Sequence, residues 1–227
     1  MNIAVIAAHP DDEVIGCGGT MVKHVSQGDN VHVLILAEGL TSRDVYRNRD
    51  AHDSGLSQLR KAAKLANEAL GVNSVKTLDF PDNRMDSVDL LDIIKKIEVF
   101  IAEFKAEVVY THHAGDLNID HRRIHDAVVT ACRPIAECTV KKLLFFEIAS
   151  STEWQIPGSA PVFAPNCFVD ISKTLEKKLV ALNEYKMEMR DWPHSRSLKA
   201  LKYLSKWRGA TVGVDAAEAF VVGRILV

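Results

Sequence analysis

The sequence is poor in the features that mark disulfide-rich, nucleic-acid-binding and membrane proteins. It has four cysteines, none in C-x-x-C spacing, so neither a zinc ribbon nor a redox pair is expected. Lys and Arg total 28 against 30 Asp and Glu, and the resulting net charge of −2 argues against general nucleic-acid binding. No apolar run approaches the ~18 residues of a membrane span.

The N-terminus also lacks a basic segment, and charged residues soon interrupt its apolar run. We therefore expect no signal peptide, which leaves the cytoplasm as the default location. Hydrophobic residues make up 47% of the chain, enough for a full core. Because no linker, repeat or low-complexity tract divides the sequence, we expect one domain over residues 1–227, with an α/β core over 1–150 and a C-terminal extension over 151–227.

Strand-like apolar runs alternate with amphipathic helical patterns through the first two-thirds of the chain. The predicted strands are residues 2–8, 31–36, 75–80, 107–111, 142–148, 167–170 and 219–227. The predicted helices are residues 13–26, 56–70, 87–104, a segment ending near 136, 172–187 and 198–207. This β-α-β alternation predicts a Rossmann-like, doubly wound and mostly parallel sheet.

A histidine and three carboxylates follow the first predicted strand. Residues 8–13 read Ala-His-Pro-Asp-Asp-Glu and lie at a strand's carboxyl end, where open α/β sheets bind ligands. His9 and Asp12 are close enough on a tight turn to hold one cation, while Asp11 points elsewhere. An Asp-capped helix start explains one aspartate. It does not explain three adjacent carboxylates, which repel one another unless a cation neutralises them.

A second charged cluster, residues 112–121, follows the fourth predicted strand. Because it also lies at a strand's carboxyl end, the fold is expected to bring the two clusters together. A catalytic zinc site requires three protein ligands and an open position, and His121 supplies the third ligand beside His9 and Asp12. Iron(II), cobalt(II) and manganese(II) are alternatives to zinc. His125, one turn further on, is an alternative ligand, although a fourth ligand would close the site.

The string at residues 8–13 and the Asp120-His121 pair resemble the LmbE-like, or PIG-L, family of metal-dependent de-N-acetylases. The resemblance covers the first two-thirds of the chain well and the remainder loosely. It implies that one Zn²⁺ per chain binds His9, Asp12 and His121, and that Asp11 is the general base. We expect Asp120 and Glu13 to support these residues without binding the metal.

The second motif departs from the family pattern at Asn118. The family usually has His-x-Asp-His or His-x-Asn-His, and its first histidine stabilises the oxyanion or protonates the leaving amine. Asn118 can donate a hydrogen bond to an oxyanion, but it cannot transfer a proton at neutral pH. His112, His113 and His194 are the candidate substitutes.

The resemblance implies hydrolysis of the acetamido group of an N-acetylglucosamine-type sugar, a small-molecule partner. In the family the C-terminal part forms one wall of the substrate cleft. Arg43, Arg47 and Arg190 are candidate substrate contacts. Family members are often multimeric, which leaves a homo-oligomer open.

Four alternatives remain at the level of sequence. Two are family members that bind metal but act on another amide, or that have lost activity. A third is a two-metal phosphohydrolase. The fourth is a nucleotide-binding module, which lacks support because no G-x-G-x-x-G follows the first strand. Metal content per chain separates a one-metal deacetylase from the last two.

Overall fold

A seven-stranded sheet runs through the whole molecule in the computed structural model, which describes residues 1–227. Its strands are β1 Asn2–Ala7, β2 Asn30–Ala37, β3 Ser74–Phe80, β4 Val108–His112, β5 Lys142–Phe146, β6 Cys167–Asp170 and β7 Ala217–Ile225. The helices are α1 Asp12–Ser26, α2 Asp53–Leu70, α3 Leu90–Phe104, α4 Ile119–Ala131, α5 Leu175–Glu184 and α6 Leu198–Ala210. None of these helices has the length and apolar composition that a bilayer-spanning helix requires.

The strands are arranged in the order β3-β2-β1-β4-β5-β7-β6. The first five are parallel, and β7 runs antiparallel to both β5 and β6. The predicted doubly wound, mostly parallel sheet is confirmed. Residues 151–227 contribute β6, β7, α5 and α6, so this extension continues the same sheet.

Helices cover both faces of the sheet, which explains the continuous apolar runs of its central strands. Ile3 and Val5 belong to the core beneath α1, α2, α5 and α6, whereas Ala4 and Ile6 belong to the core beneath α3 and α4. Some predicted boundaries were too long: α4 ends at Ala131 rather than near residue 136.

The order of the strands reverses at β1, which lies between β2 and β4. Val5 of β1 is in register with Tyr110 of β4, so the carboxyl ends of these two strands are neighbours. Open α/β sheets bind ligands in the crevice outside such a switch point. The two charged clusters of the sequence follow these two strands.

The glycines of α1 are positions of close packing. A Cβ atom on Gly16 would lie 2.6 Å from the Phe146 ring, and one on Gly19 would lie 2.9 Å from Ile171. Larger residues would separate α1 from the strands beneath it. This packing accounts for the glycine-rich helix without a phosphate-binding role.

A buried ion pair joins α1 to the C-terminal extension. The helix is interrupted at Cys17 (φ −148°), and the Glu218 carboxylate accepts hydrogen bonds from the backbone N–H groups of Gly19 (2.9 Å) and Thr20 (2.7 Å). Lys178 Nζ lies 2.6 Å from the same carboxylate. Both ionic side chains are less than 5% exposed. Glu218 therefore neutralises the buried Lys178 ammonium group and accepts hydrogen bonds from two buried backbone N–H groups.

Replacing Glu218 by alanine is expected to lower the free energy of unfolding by about 3–5 kcal/mol, because it leaves a buried ammonium group unpaired. Urea denaturation measures the change. The matched control is Glu176→Ala, which removes a carboxylate that is 78% exposed and paired with Lys202; this loss is expected to stay below about 1 kcal/mol. Equal effects of the two substitutions would contradict the role assigned to Glu218.

Candidate active site and metal centre

Three ligand atoms from two distant segments meet at the carboxyl ends of β1 and β4. His9 Nδ1 lies 3.2 Å from Asp12 Oδ2 and 3.2 Å from His121 Nε2. Asp12 Oδ2 and His121 Nε2 are 3.1 Å apart. The residues proposed as metal ligands thus form one cluster that could hold a single ion.

The second nitrogen of each histidine faces a buried carboxylate. His9 Nε2 lies 3.0 Å from Asp120 Oδ2, and His121 Nδ1 lies 3.1 Å from Asp116 Oδ1. An N–H group donated to a carboxylate fixes the imidazole tautomer and turns the other nitrogen's lone pair away from it. For His9 the Nδ1 lone pair therefore points into the space that the cluster encloses. His121 lies beside Asp116 in the same way, although its Nδ1 makes no hydrogen bond.

The cluster has the properties of a cation site. When both histidines are neutral, with their outer N–H groups toward carboxylates, His9 Nδ1, His121 Nε2 and Asp12 Oδ2 are three acceptors no more than 3.2 Å apart. Asp12 is fully buried, and its Oδ1 atom has no hydrogen-bond partner. Such a set is unfavourable unless a cation neutralises it. Two imidazoles and one carboxylate suit Zn²⁺ and leave a position open for chemistry.

Neighbouring charges change the protonation of these residues. Burial lowers the pKa of His121, but Asp12 and Asp116 outweigh burial and raise this pKa to about 9. Burial opposes ionisation of Asp12, yet His121 and His9 lower its pKa well below the usual value. Because the histidine must lose a proton to bind a metal, metal binding competes with protons at this site.

A second set of carboxylates shares His9 but fits a supporting role better. Asp82 Oδ1 and Asp120 Oδ2 lie 3.2 Å and 3.0 Å from His9 Nε2. Asp120 already accepts hydrogen bonds from the backbone N–H groups of Asn83 (2.7 Å) and Met85 (2.9 Å). A neutral imidazole has one lone pair, so it cannot bind one metal through Nδ1 and another through Nε2. Asp82 and Asp120 therefore orient the His9 ring and do not form a second metal site.

Asp11 lies next to the cluster in the chain and is not part of it. It is fully buried, and its φ of 115° is a conformation that residues other than glycine seldom adopt. Its Oδ1 atom has no hydrogen-bond partner, and Oδ2 lies 3.2 Å from Arg196 Nη1. Burial raises the pKa of Asp11 well above the usual value, against the opposing effect of Arg196. A buried, unligated carboxylate is suited to proton transfer.

Glu13 holds the backbone of Asp11 in this conformation. One Glu13 oxygen accepts from the Asp11 N–H (3.1 Å), and the other accepts from Asn67 Nδ2 (2.9 Å) and the Tyr185 hydroxyl (2.5 Å). Burial raises the pKa of Glu13 to about 7. The Asp11 side chain makes no capping hydrogen bond to α1, so helix capping does not account for this aspartate.

A polar cleft of about 130 Å³ opens beside Asp11. Loops that follow β1, β2, β3 and β4 form its walls, together with the segment between α5 and α6. Only two of its thirteen lining residues are hydrophobic, and its polar residues include His9, Asp11, Asp82, Asn118, Glu188 and Arg196. A cleft of this composition suits a ligand rich in hydroxyl groups.

Asn118 lines the cleft, although most of its side chain is already engaged. Its Oδ1 accepts from the Asp120 N–H (2.8 Å) at the start of α4, and its Nδ2 donates to Asn83 Oδ1 (2.7 Å). One N–H of the amide is left for a ligand. The residue therefore offers at most a single hydrogen bond to the cleft.

His113 does not line the cleft, because successive side chains at the end of β4 point in opposite directions. His112 stacks against His121 with ring centroids 4.0 Å apart. His113 packs edge-on against Phe163 at 5.3 Å, on the other side. Burial lowers the pKa of His112 well below its usual value, so this ring is held neutral beside the cluster.

The other two candidate histidines also lie outside the cleft. His194 Nδ1 accepts from the Arg196 backbone N–H (3.0 Å), and its ring packs edge-on against Trp154. His125 Nδ1 donates to the His112 carbonyl oxygen (2.9 Å). Neither ring contributes an atom to the metal cluster.

Of the three arginines predicted to contact substrate, only Arg43 lines the cleft. It donates to both oxygens of Glu188, at 2.9 and 3.2 Å. Arg47 instead forms a two-point ion pair with the buried carboxylate of Glu38, at 2.8 and 2.9 Å. Arg190 donates to backbone carbonyls of its own segment. These contacts explain why the latter two arginines are held away from the cleft.

Several cleft residues were not among the candidates taken from the sequence, and Asp82 and Arg196 are the two with the closest contacts to His9 and Asp11. Asp82 follows β3 almost directly, so the rule that singled out the ends of β1 and β4 applies to it as well. Arg196 reaches Asp11 across 185 residues of sequence. The sequence places it in a polar, aromatic segment, but nothing there indicates contact with Asp11.

Replacing Asp116 by asparagine is expected to weaken Zn²⁺ binding by about 10–100-fold. A neutral amide orients the His121 ring less firmly than a carboxylate and does not raise the basicity of the imidazole as a ligand. Asp116 also accepts from Thr152 Oγ1 (2.6 Å) and Ser151, which fix its position. Competition with a chromogenic chelator measures the affinity. The control is Asp126→Asn, at an exposed site of α4, and similar affinities for the two variants would contradict this role.

The sheet and the cluster at its switch point define an α/β protein with a candidate three-ligand metal centre. The PIG-L family model, described as GlcNAc-PI de-N-acetylase, matches residues 4–132, which is more than half of the 227 residues. The chain belongs to this family. The matched region contains both segments of the cluster.

Relatives extend the match beyond the first two-thirds of the chain. The chain is 26% identical over 191 residues to the "Uncharacterized deacetylase YaiS" of Escherichia coli (strain K12), covering 82% of this chain and 90% of the relative. It is 26% identical over 189 residues to the "Probable N-acetyl-alpha-D-glucosaminyl L-malate deacetylase 2" of Bacillus cereus, covering 82% and 83%.

A solved structure shows that the fold alone does not fix the reaction. GalB, the 4-carboxy-2-hydroxymuconate hydratase from Pseudomonas putida KT2440, matches with a TM-score of 0.78 and 21% identity, covering 100% of this chain and 97% of the other. Because a hydratase shares the fold, the activity has to be argued from the residues of the site.

Proposed function

We propose that the protein is a metal-dependent N-deacetylase that hydrolyses the acetamido group of an N-acetylglucosamine-type sugar. The observation that carries the proposal is Asp11, a fully buried carboxylate with an unpartnered oxygen. It lies beside a cluster of His9, Asp12 and His121 that could hold one ion. Family membership and the deacetylase relatives support the same reaction.

The metal and the protein's own side chains have separate roles in the reaction. A Zn²⁺ ion held by His9, Asp12 and His121 would polarise the acyl oxygen and acidify a water molecule. Asp11 removes a proton from the attacking water as its oxygen bonds to the acyl carbon. When the C–N bond breaks, Asp11 returns this proton to the departing amine. One water is consumed, and acetate and a free amine are formed.

Zinc is the metal that this donor set favours, because two imidazoles and a carboxylate are common ligands of catalytic zinc. Iron(II), cobalt(II) and manganese(II) accept the same ligands and are alternatives. The supporting carboxylates of Asp116 and Asp120 are compatible with each of these ions. Reconstitution with each metal in turn identifies the one that gives the highest turnover.

The polar cleft supports a sugar as the substrate. Asp82 and Glu188 present carboxylate oxygens to it, and Arg43 presents a guanidinium group. Carboxylates accept hydrogen bonds from hydroxyl groups, and arginine donates to hydroxyl or carbonyl oxygens. The B. cereus relative is named for an N-acetylated glucosaminyl substrate, which favours the same class here.

The test is a panel of N-acetylated sugars, free and nucleotide-linked, assayed for liberated amine with and without a chelator. We expect amine release from at least one N-acetylglucosamine derivative, loss of activity with the chelator, and recovery when Zn²⁺ is restored. No release from any member of the panel, or release that the chelator leaves unchanged, would count against the proposal.

Metal content distinguishes the competing functions. The deacetylase requires one ion per chain, a two-metal phosphohydrolase two, and a nucleotide-binding module none. No contact favours the phosphohydrolase, because the second carboxylate set shares His9 with the first. A family member that binds metal but acts on another amide, or on none, would bind one ion and fail the sugar panel.

A further inference from the structure

Arg196 is the one cleft residue of the C-terminal extension that contacts Asp11. Its Nε donates to Ser150 Oγ (2.9 Å), and its backbone N–H donates to His194 Nδ1 (3.0 Å). Its Nη1 donates to Asp11 Oδ2 (3.2 Å), and its side chain is only 21% exposed. These contacts fix the guanidinium group in one position beside Asp11.

One nitrogen of this guanidinium group, Nη2, is free to donate to a ligand. Nη2 makes no hydrogen bond, and it is not sealed from solvent, while the residue lines the cleft. The other cleft arginine, Arg43, is held by both oxygens of Glu188. Arg196 is therefore the cleft arginine that has a free N–H group beside Asp11.

The site needs such a donor because its usual source is missing. Asn118 replaces the family's histidine and has a single N–H left for the cleft. His113 and His194 do not line the cleft. Removing one preorganised donor to a developing oxyanion typically costs a factor of about 10²–10³ in kcat. Arginine remains protonated throughout, so it stabilises negative charge without transferring a proton.

We propose that Arg196 is a catalytic residue whose Nη2 group donates to the acyl oxygen of the substrate as negative charge develops there, and afterwards to a carboxylate oxygen of the acetate product. The step involves no transfer of a proton from arginine. This inference rests on the proposed deacetylase function. Because the water must lie beside Asp11 when it attacks, the acyl group comes within the reach of a guanidinium group already bonded to Asp11.

The alternative is that Arg196 only neutralises the buried Asp11 carboxylate. Acetate binding separates the two roles and does not require turnover. We expect isothermal titration of the Zn²⁺-loaded protein with acetate to show binding that is about tenfold or more weaker in Arg196→Gln, because a hydrogen bond to a charged group is lost. Arg84→Gln also removes one arginine charge, from a residue that does not line the cleft and donates to the carbonyl oxygens of Asp44 and Val45, and it should leave acetate affinity within about twofold.

Steady-state kinetics supply the second readout. We expect kcat to fall by about 10²–10³-fold in Arg196→Gln with little change in KM, and by a smaller factor in Arg196→Lys, which keeps the charge but loses the two-point geometry. Thermal unfolding and zinc content identify any variant that fails to fold. If Arg196→Gln does not fold, the kcat and acetate affinity of Arg196→Lys test the proposal.

The outcomes distinguish this proposal from the proposed function. If the wild-type protein deacetylates no sugar, the proposed function fails and the catalytic role of Arg196 fails with it; the acetate titration then shows only whether Arg196 binds a carboxylate. If the wild-type protein is active and Arg196→Lys keeps both its kcat and its acetate affinity, Arg196 serves Asp11 as a charge alone. That result would overturn the proposal and leave the deacetylase standing.

Discussion

Asp11→Asn is expected to lower kcat for deacetylation by about 10²–10⁴-fold while the protein still binds one Zn²⁺ ion. The asparagine has the same size as the aspartate but cannot accept the proton of the attacking water. It also cannot return a proton to the leaving amine, so both halves of the reaction slow. Amine release and zinc content, measured on the same preparation, test this expectation.

The control for Asp11→Asn is Asp215→Asn, which removes a carboxylate that is 78% exposed and remote from the cleft. Its kcat should match that of the wild-type protein. An unchanged kcat in Asp11→Asn would show that Asp11 is not the general base. Loss of zinc together with activity would place Asp11 among the metal ligands instead.

His121→Gln is expected to lower zinc content from about one ion per chain to near zero at micromolar protein, and to abolish turnover. The imidazole supplies one of three donors, and its loss leaves only His9 and Asp12. Its partner Asp116 would also lose the ring that it faces at 3.1 Å. Elemental analysis after dialysis against a weak chelator measures the occupancy.

His125→Gln is the matched control, because His125 lies one turn further along the same helix. Its Nδ1 donates to the His112 carbonyl oxygen, and we expect zinc content and activity close to the wild-type values. Retention of zinc in His121→Gln together with its loss in His125→Gln would reverse the assignment of the ligands.

The sequence could predict the sheet because its central strands have a simple physical signature. Residues buried on both faces of a parallel sheet form continuous apolar runs, as in β1 and β2. The same reasoning placed the His9 and His121 segments at the ends of two strands. Their adjacency depends on β1 pairing with β4, which follows from the order of a doubly wound sheet.

Side-chain direction could not be read from the sequence in the same way. His112 and His113 are adjacent and chemically identical, yet only His112 stacks on His121. The two rings lie on opposite sides of the chain, and the predicted strand end at residue 111 was one residue short of the observed His112. Adjacent residues of a strand point to opposite faces, and an apolar run buried on both faces does not show which face His121 packs against.

Contacts made by the C-terminal extension were the least accessible to prediction. Arg196, Arg190 and His194 lie within seven residues of one another, and only the first reaches Asp11. The turns between α5 and α6 decide which side chain enters the cleft. Arg47 illustrates the same difficulty, since its ion pair with Glu38 could not be anticipated from a polar loop.

The most direct test of the metal centre is an anomalous difference map, recorded at the zinc edge from a crystal soaked in Zn²⁺. We expect one peak per chain, about 2.0–2.1 Å from His9 Nδ1 and His121 Nε2 and about 2.0–2.2 Å from the Asp12 carboxylate, with Asp11 unbound. A peak between His9 Nε2, Asp82 and Asp120 instead, or the absence of any peak at the cluster, would contradict the account.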